Sequence, residues 1–250
     1  MIRASQLAHA NTLIRFIGYQ PRPGVPAEQF IAAWQNVVAS SPQPQGLIYR
    51  ELCQQMPEWN AQVHDEAQNP NPYDFIDYTL LSPDVDPTTL PALPAEITKQ
   101  YATVEGLFTI VHPFVKPELT GNPEALLYNC FEIDGPPAVE QGFVLGWPAR
   151  GDYQSQQEGF YSAFLHRRIQ SDIRIAAFNR AEWQSATKYA DTLAGFEQNF
   201  PRQARAAAGA PSGSGRPPVH SYLGLYRIVS AFQGPPAPPP AMMKAVVMHG

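Results

Sequence analysis

Hydrophobic positions along the chain switch between a period of two and a period near 3.6, and they do so twice in the same order. Thr12 to Tyr19 alternates and is rich in β-formers, which predicts a strand. After Pro26, the residues Phe30, Ile31, Trp34, Val37 and Val38 recur at helical spacing until Ser40-Ser41-Pro42 ends the run. Leu47 to Leu52 and Tyr73 to Leu81 read as strands. Between them, Met56 to Pro72 is polar, rich in Asn and Pro, too long for a tight hairpin, and expected to form a lid. Thr88 to Tyr101 is expected to be helical and Leu107 to Val115 a final strand, so residues 12 to 115 spell βαββαβ.

The second series starts at Leu126, with Leu127, Asn129, Phe131 and Ile133 on one strand face. Pro136-Pro137 opens a helical stretch carrying Val139, Phe143, Val144 and Trp147, which Gly142, Gly146 and Pro148 weaken or kink. Phe160 to Ile169 and Ile173 to Trp183 predict a hairpin turning at Ser171-Asp172. Ser185 suits the N-cap of a helix with Tyr189, Leu193, Phe196 and Phe200 on one face, and Tyr222 to Val229 closes the set. Ala206 to Pro218 reads as a Gly/Pro/Ser-rich loop, and Met242 to Met248, beyond a proline-rich stretch, as a docking edge strand.

Two βαββαβ units imply an α+β fold of two ferredoxin-like domains. A sheet with helices on one face leaves the other face bare, and packing the two sheets together hides both. The expected architecture is therefore a fused dimeric α/β barrel. Its N-terminal domain takes residues 1–120, its C-terminal domain residues 121–232, and a proline-rich tail residues 233–250. Self-association of the whole chain, as a homodimer, stays open.

Composition narrows the partners. Charged residues are only 16% of the chain, below the roughly 25% of an average soluble protein, and hydrophobic residues are 44%, which suits a large apolar interior. A net charge of −5 without a basic run disfavours nucleic acid and anionic membranes. Residues 1–20 lack a leader pattern and no long apolar run follows, so a cytoplasmic, unanchored protein is expected. Cys53 and Cys130 are isolated and are expected to be buried free thiols, with no metal site.

Candidate chemistry concentrates in Ile175-Ala176-Ala177-Phe178-Asn179-Arg180-Ala181-Glu182-Trp183. Strand alternation places Asn179 and Trp183 on the apolar face with Ile173, Ile175 and Ala177, and Tyr189 follows at the start of the next helix. A buried amide or indole N–H needs a partner. Taken alone, core packing explains this pattern better than a site does.

The segments Gln157-Glu158-Gly159-Phe160, Leu165-His166-Arg167, Phe178 to Ser185 and Gly224-Leu225-Tyr226 together resemble the antibiotic biosynthesis monooxygenase signature, over about residues 125 to 230. In the polyketide oxygenases of that family an Asn, a Trp four residues on and a Tyr six further line the site, so the resemblance implies catalytic roles for Asn179, Trp183 and Tyr189. It implies oxidation of an aromatic polyketide (an anthrone, phenol or hydroquinone) by O2, with no tightly bound cofactor or metal. His166, Asn129, Phe131, Phe143, Trp147 and Tyr226 are the candidate substrate contacts. The alternative for His166 is an ordinary polar contact, and for the aromatic residues core packing. Arg227 is open between binding a phenolate and facing solvent.

The first half departs from the pattern, with Asp77 and Leu81 where Asn and Trp are expected, so one site per chain is implied. The tandem length also resembles oxygenases that cleave rings of angucycline-type polyketides, for which reduced flavin (FADH2 or FMNH2) serves as a diffusible reductant. Residues 186–200 hold no His, unlike the matching helix of heme-degrading relatives. The rival from another class is a non-catalytic binding or sensing module on the same fold.

Overall fold

The computed structural model describes residues 3–9, 11–22, 24–59, 69–116, 121–170, 173–199 and 219–235. The middle of the expected lid, the Ser171-Asp172 turn, the loop 206–218, the side chains of Phe196 and Phe200, and the edge strand 242–248 lie outside the described residues. The elements run α1 (Ala4–Leu7), β1 (Leu13–Pro21), α2 (Ala27–Ser40), β2 (Leu47–Gln55), the two-residue β3 (Asn69–Pro70), β4 (Phe75–Leu81), α3 (Ala95–Thr98) and β5 (Tyr101–Val115). The second half adds β6 (Ala125–Ile133), α4 (Pro137–Gly146), α5 (Pro148–Ser155), β7 (Phe160–Arg168), β8 (Ile175–Trp183), α6 (Ala186–Asn199) and β9 (Val219–Gln233). No helix among the described residues is long and apolar enough to cross a membrane.

Most elements follow the local pattern. Helix α2 buries Phe30, Trp34, Val37 and Val38 on one face and stops where Ser41 turns extended before Pro42. The expected helix over 88–101 is corrected. Pro91 and Pro94 remove N–H donors and clash with a continuing helix, leaving a 3-10 turn at Pro87–Thr89 and the single turn α3. Tyr101, expected to end that helix, instead opens β5, paired with Pro21 of β1.

The sheets are not two separate layers pressed face to face. The strand order is β2-β4-β1-β5-β7-β8-β6-β9, and β9 pairs back onto β2, so eight antiparallel strands close into one barrel. Each half keeps the strand order expected of a βαββαβ unit. Closure comes from two strands longer than the apolar pattern suggests. The first part of β5 pairs with β1 and its last part with β7. In the same way, the first part of β9 pairs with β6 and its last part with β2. An open sheet edge exposes unpaired N–H and C=O groups, and these two splices pair the edges of one half with those of the other.

An eight-stranded barrel is just wide enough to be filled by side chains. Ile14, Phe16, Tyr78, Phe108, Tyr128, Phe164 and Phe178 form the interior cluster, with Phe178 packed at 4.8 Å between ring centroids against both Phe16 and Phe108. Cys53 and Cys130 lie within it as buried free thiols. Charge is buried there too. Arg180 Nη2 lies 2.7 Å from Glu51 Oε1 and its Nη1 2.8 Å from Glu182 Oε1, and all three side chains are fully buried. The remaining acceptor capacity is filled by Tyr49 on Glu51, by Ser162 and Ser5 on Glu182, and by Tyr128 beside both partners. Ser5 belongs to α1, whose buried Ala4 caps this end of the interior.

Removing one partner of a buried pair strands the other charge, which costs about 3–5 kcal/mol. Arg180→Leu is therefore expected to lower the unfolding free energy by an amount in that range, read as a lower urea midpoint, because it leaves Glu51 and Glu182 facing each other. A midpoint unchanged within error would show that the network contributes nothing to holding the halves together.

Candidate functional site

Strand β8 carries different chemistry on its two faces. Arg180 and Glu182 point into the barrel, while Ala177, Ala181 and Trp183 belong to clusters under the C-terminal helices. Asn179 lies between those alanines in the strand alternation, so it shares the helix face. Ile173 and Ile175 do not share it. The β6–β8 register slips between Phe131 and Glu132, and this bulge turns both isoleucines into the barrel, correcting the expectation that they line the Asn179 face.

Trp183 is fully buried, with Phe160 edge-on at 5.3 Å and Tyr189 at 5.4 Å between ring centroids. Gly159, at φ +78°, makes the turn that delivers Phe160, and its carbonyl accepts from Gln184 N–H at 2.7 Å. Ser185 accepts from Lys188 N–H at 3.2 Å, so the first turn of α6 that carries Tyr189 is capped. Burial pushes the Tyr189 phenol well above its ordinary range, which keeps it protonated and able to donate.

Two polar atoms on this face are buried without a partner among the described residues. Neither Asn179 Oδ1 nor Trp183 Nε1 has a hydrogen-bond partner among the described residues, although both residues are at most 1% exposed. A buried group left unpaired costs about 1–3 kcal/mol, and each such group in a native protein calls for a reason. At the far end of the same face, Trp147 sits at the junction of α4 and α5, and its Nε1 is also unpartnered. Phe131 and Phe143 pack against it at 5.4 and 5.7 Å.

Of the residues expected to line the site, the structure groups Asn179, Trp183, Tyr189, Asn129, Phe131, Phe143 and Trp147 on one side of the sheet. Asn129 lies directly across from Asn179, and its Oδ1 accepts from Ser221 Oγ at 2.6 Å. His166 and Tyr226 are on the other side. His166 contacts Tyr78 OH at 2.9 Å and stacks on Phe178 inside the barrel. The Tyr226 hydroxyl, also in the barrel, donates to the Tyr73 carbonyl at 2.7 Å. Arg227 is exposed and donates to Gln54. Three contributors from the first half were not picked out in the sequence: Met56 and Trp59, which pack on the Trp183–Tyr189 cluster, and Phe114. Phe114, from the last strand of the first half, packs against both clusters because β5 pairs with β7.

The corresponding face of the first half is closed by its own polar groups. Asp77 accepts from Arg50 Nη2 at 2.6 Å, from Trp34 Nε1 at 2.8 Å and from Thr79 Oγ1 at 3.0 Å. Burial alone would raise the Asp77 carboxyl, but Arg50 and the Trp34 N–H bring it below the usual carboxylate range. Asp77 and Asn179 hold equivalent third-strand positions, one fully paired and one not. Among the described residues, no group of three or more His, Cys, Asp or Glu is placed to hold a metal ion.

The chain shares this fold with several solved structures. An anthrone oxidase-like protein superposes with a TM-score of 0.62 at 11% identity, covering 94% of this chain and 98% of that one. A monooxygenase from Fusobacterium nucleatum, described as putative, gives 0.55 at 8% identity over 90% and 96% of the two chains. A similarly described protein from Lactobacillus acidophilus gives 0.51 at 7% over 89% and 96%. No family model and no curated protein matches the sequence. At these identities the likeness establishes the architecture.

His166 gives a test of the barrel interior. Burial, reinforced by Arg180, pulls its pKa from the usual 6.5 down to about 3. The folded state therefore keeps it neutral while the unfolded chain protonates below about pH 6.5, so stability is complete above that pH and declines as pH falls toward 3. Between pH 6.5 and 5, before the carboxylates titrate, a loss of about 1–2 kcal/mol is expected. Urea titrations of wild type and His166→Phe across that window check it, with a lower but flatter profile expected for the variant.

Proposed function

We propose that the chain is an antibiotic biosynthesis monooxygenase-type oxygenase that oxidises an aromatic polyketide with O2 at the helix-covered face of its C-terminal half. The observation that carries this reading is the pair of buried, unpartnered groups at Asn179 and Trp183, set against their fully paired counterpart at Asp77. Leaving two such groups unpaired costs a core stability, whereas a ligand hydroxyl can donate to Asn179 Oδ1 and a ligand oxygen can accept from Trp183 Nε1. The sequence resemblance and the anthrone oxidase-like neighbour point the same way.

The chemistry this arrangement suits is oxidation of an anthrone. Loss of a proton from the ring methylene gives an electron-rich anion that itself reduces O2. One oxygen atom becomes the new carbonyl and the other leaves as water, with four electrons drawn from the methylene carbon. The Trp183 N–H would donate to the phenolate or peroxy oxygen, and the Tyr189 phenol would add a second donor, in surroundings from which water is excluded. Asn179 would orient the substrate by accepting from its hydroxyl. In the angucycline-type variant of this reading, reduced flavin would enter as a second, diffusible substrate.

Oxygen uptake with dithranol (1,8-dihydroxyanthrone), with and without reduced flavin, tests the proposal. Removing a preorganised donor costs about 10²–10³ in kcat, so Trp183→Phe is expected to fall in that range and Asn179→Ala to fall as well. Trp34→Phe, in the first half, should lower stability and leave kcat unchanged. Saturable binding without oxygen consumption would sink the enzymatic reading in favour of a binding module.

A further inference from the structure

The unpartnered indole of Trp147 is not explained by chemistry at Asn179 and Trp183, because it lies at the other end of the face. Phe131, which packs on Trp147, stands opposite Ala177 in the β6–β8 ladder. Six residues of strand separate Ala177 from Trp183, about 20 Å at the rise of a β-strand. Asn179 falls between them, two residues from one end and four from the other. The face thus carries an indole donor at each end and an amide acceptor between, all buried and all without partners among the described residues.

The Trp147 ring is held in place. Phe131 and Phe143 pack on it, and Arg150 stacks over it with its guanidinium 5.6 Å from the ring centroid. Its backbone joins α4 to α5, accepting from Arg150 and Gly151 and donating to Val144. Gly151 is needed where α5 crosses Phe114, since a Cβ there would overlap the ring. Apolar packing alone would be served as well by Phe at position 147, so the N–H is the feature left to explain.

We infer that Trp147 is a specificity-determining residue whose N–H donates to an oxygen at the distal end of an elongated, multi-ring ligand. This rests on the reading of the Asn179 face as an aromatic substrate site and deepens it. The complementary ligand carries an oxygen acceptor at each end of its long axis. Single-ring phenols, which reach only one indole, are poor ligands.

The test compares 2,9-dihydroxypentacene-6,13-dione with 2-hydroxypentacene-6,13-dione, five-ring compounds long enough to reach both indoles through hydrogen bonds of about 2.9 Å and differing only in the hydroxyl at the second end, by fluorescence titration of wild type, Trp147→Phe and Asn179→Ala. A buried hydrogen bond of about 1.4 kcal/mol corresponds to a tenfold preference for the dihydroxy compound. Wild type is expected to show about that ratio, Trp147→Phe a ratio near one, and Asn179→Ala weaker binding of both compounds with the ratio kept. Because each ratio compares two ligands on one protein, a general loss of stability cancels. A wild-type ratio near one, or a Trp147→Phe ratio equal to that of wild type, overturns the role of Trp147 and leaves the site standing. Failure of wild type to bind either compound removes the site and the inference together.

Discussion

The architecture depends on one buried guanidinium. Arg180, on the third strand of the second half, reaches across the barrel to Glu51 on the second strand of the first half, and turns its other nitrogen to Glu182 on its own strand. Burial alone would lower the Arg180 pKa, yet the flanking carboxylates raise it well above its ordinary value, so it stays charged. Glu182 is pushed up by burial but brought below its usual range by Arg180 and the Ser5 and Ser162 hydroxyls. A charge can sit in so apolar a place only when paired and hydrogen-bonded on every side. This geometry exists only when both halves and α1 are in place.

The same strand links that constraint to the site. On β8, residues that face the barrel alternate with residues that face the helices, so fixing Arg180 and Glu182 also fixes Asn179 and Trp183. A slip of one residue would send the amide and indole into the barrel and the charges under the helices. The bulge near Ile175 stops the alternation from running unbroken and lets both isoleucines fill the barrel. The buried ion pairs and the unpartnered amide oxygen and indole N–H therefore sit on opposite faces of nine residues.

The two halves use their equivalent helix-side faces differently. In the first, Asp77 pairs with Arg50 and accepts from Trp34 and Thr79. In the second, the equivalent position holds an uncharged amide whose oxygen is free of partners among the described residues, with an indole in the same condition on either side. The contrast lies at these equivalent strand positions, since the first half's helix-side cluster also holds one hydroxyl, that of Tyr101, without a partner among the described residues. Phe114 ties the two halves, since a strand of the first half packs against the site of the second.

Much of this was legible in the order of residues alone. Alternation and helical spacing set the two βαββαβ series, and the i, i+4 relation of Asn179 to Trp183 on a strand placed them on one face, because side-chain direction is a local property of the backbone. Other features were not local. Barrel closure depends on the far ends of β5 and β9 finding partners in the opposite half, and nothing in their own sequence names those partners. The helix expected over 88–101 yielded to Pro91, Pro94 and the pairing of Tyr101 with β1. His166 and Tyr226 looked like neighbours of the site, but which side of a sheet is barrel and which is helix layer is decided only when the sheet curls and closes. Sequence determined which residues alternate; the tertiary structure decided what each face meets, because closure and long-range ion pairing join groups far apart along the chain.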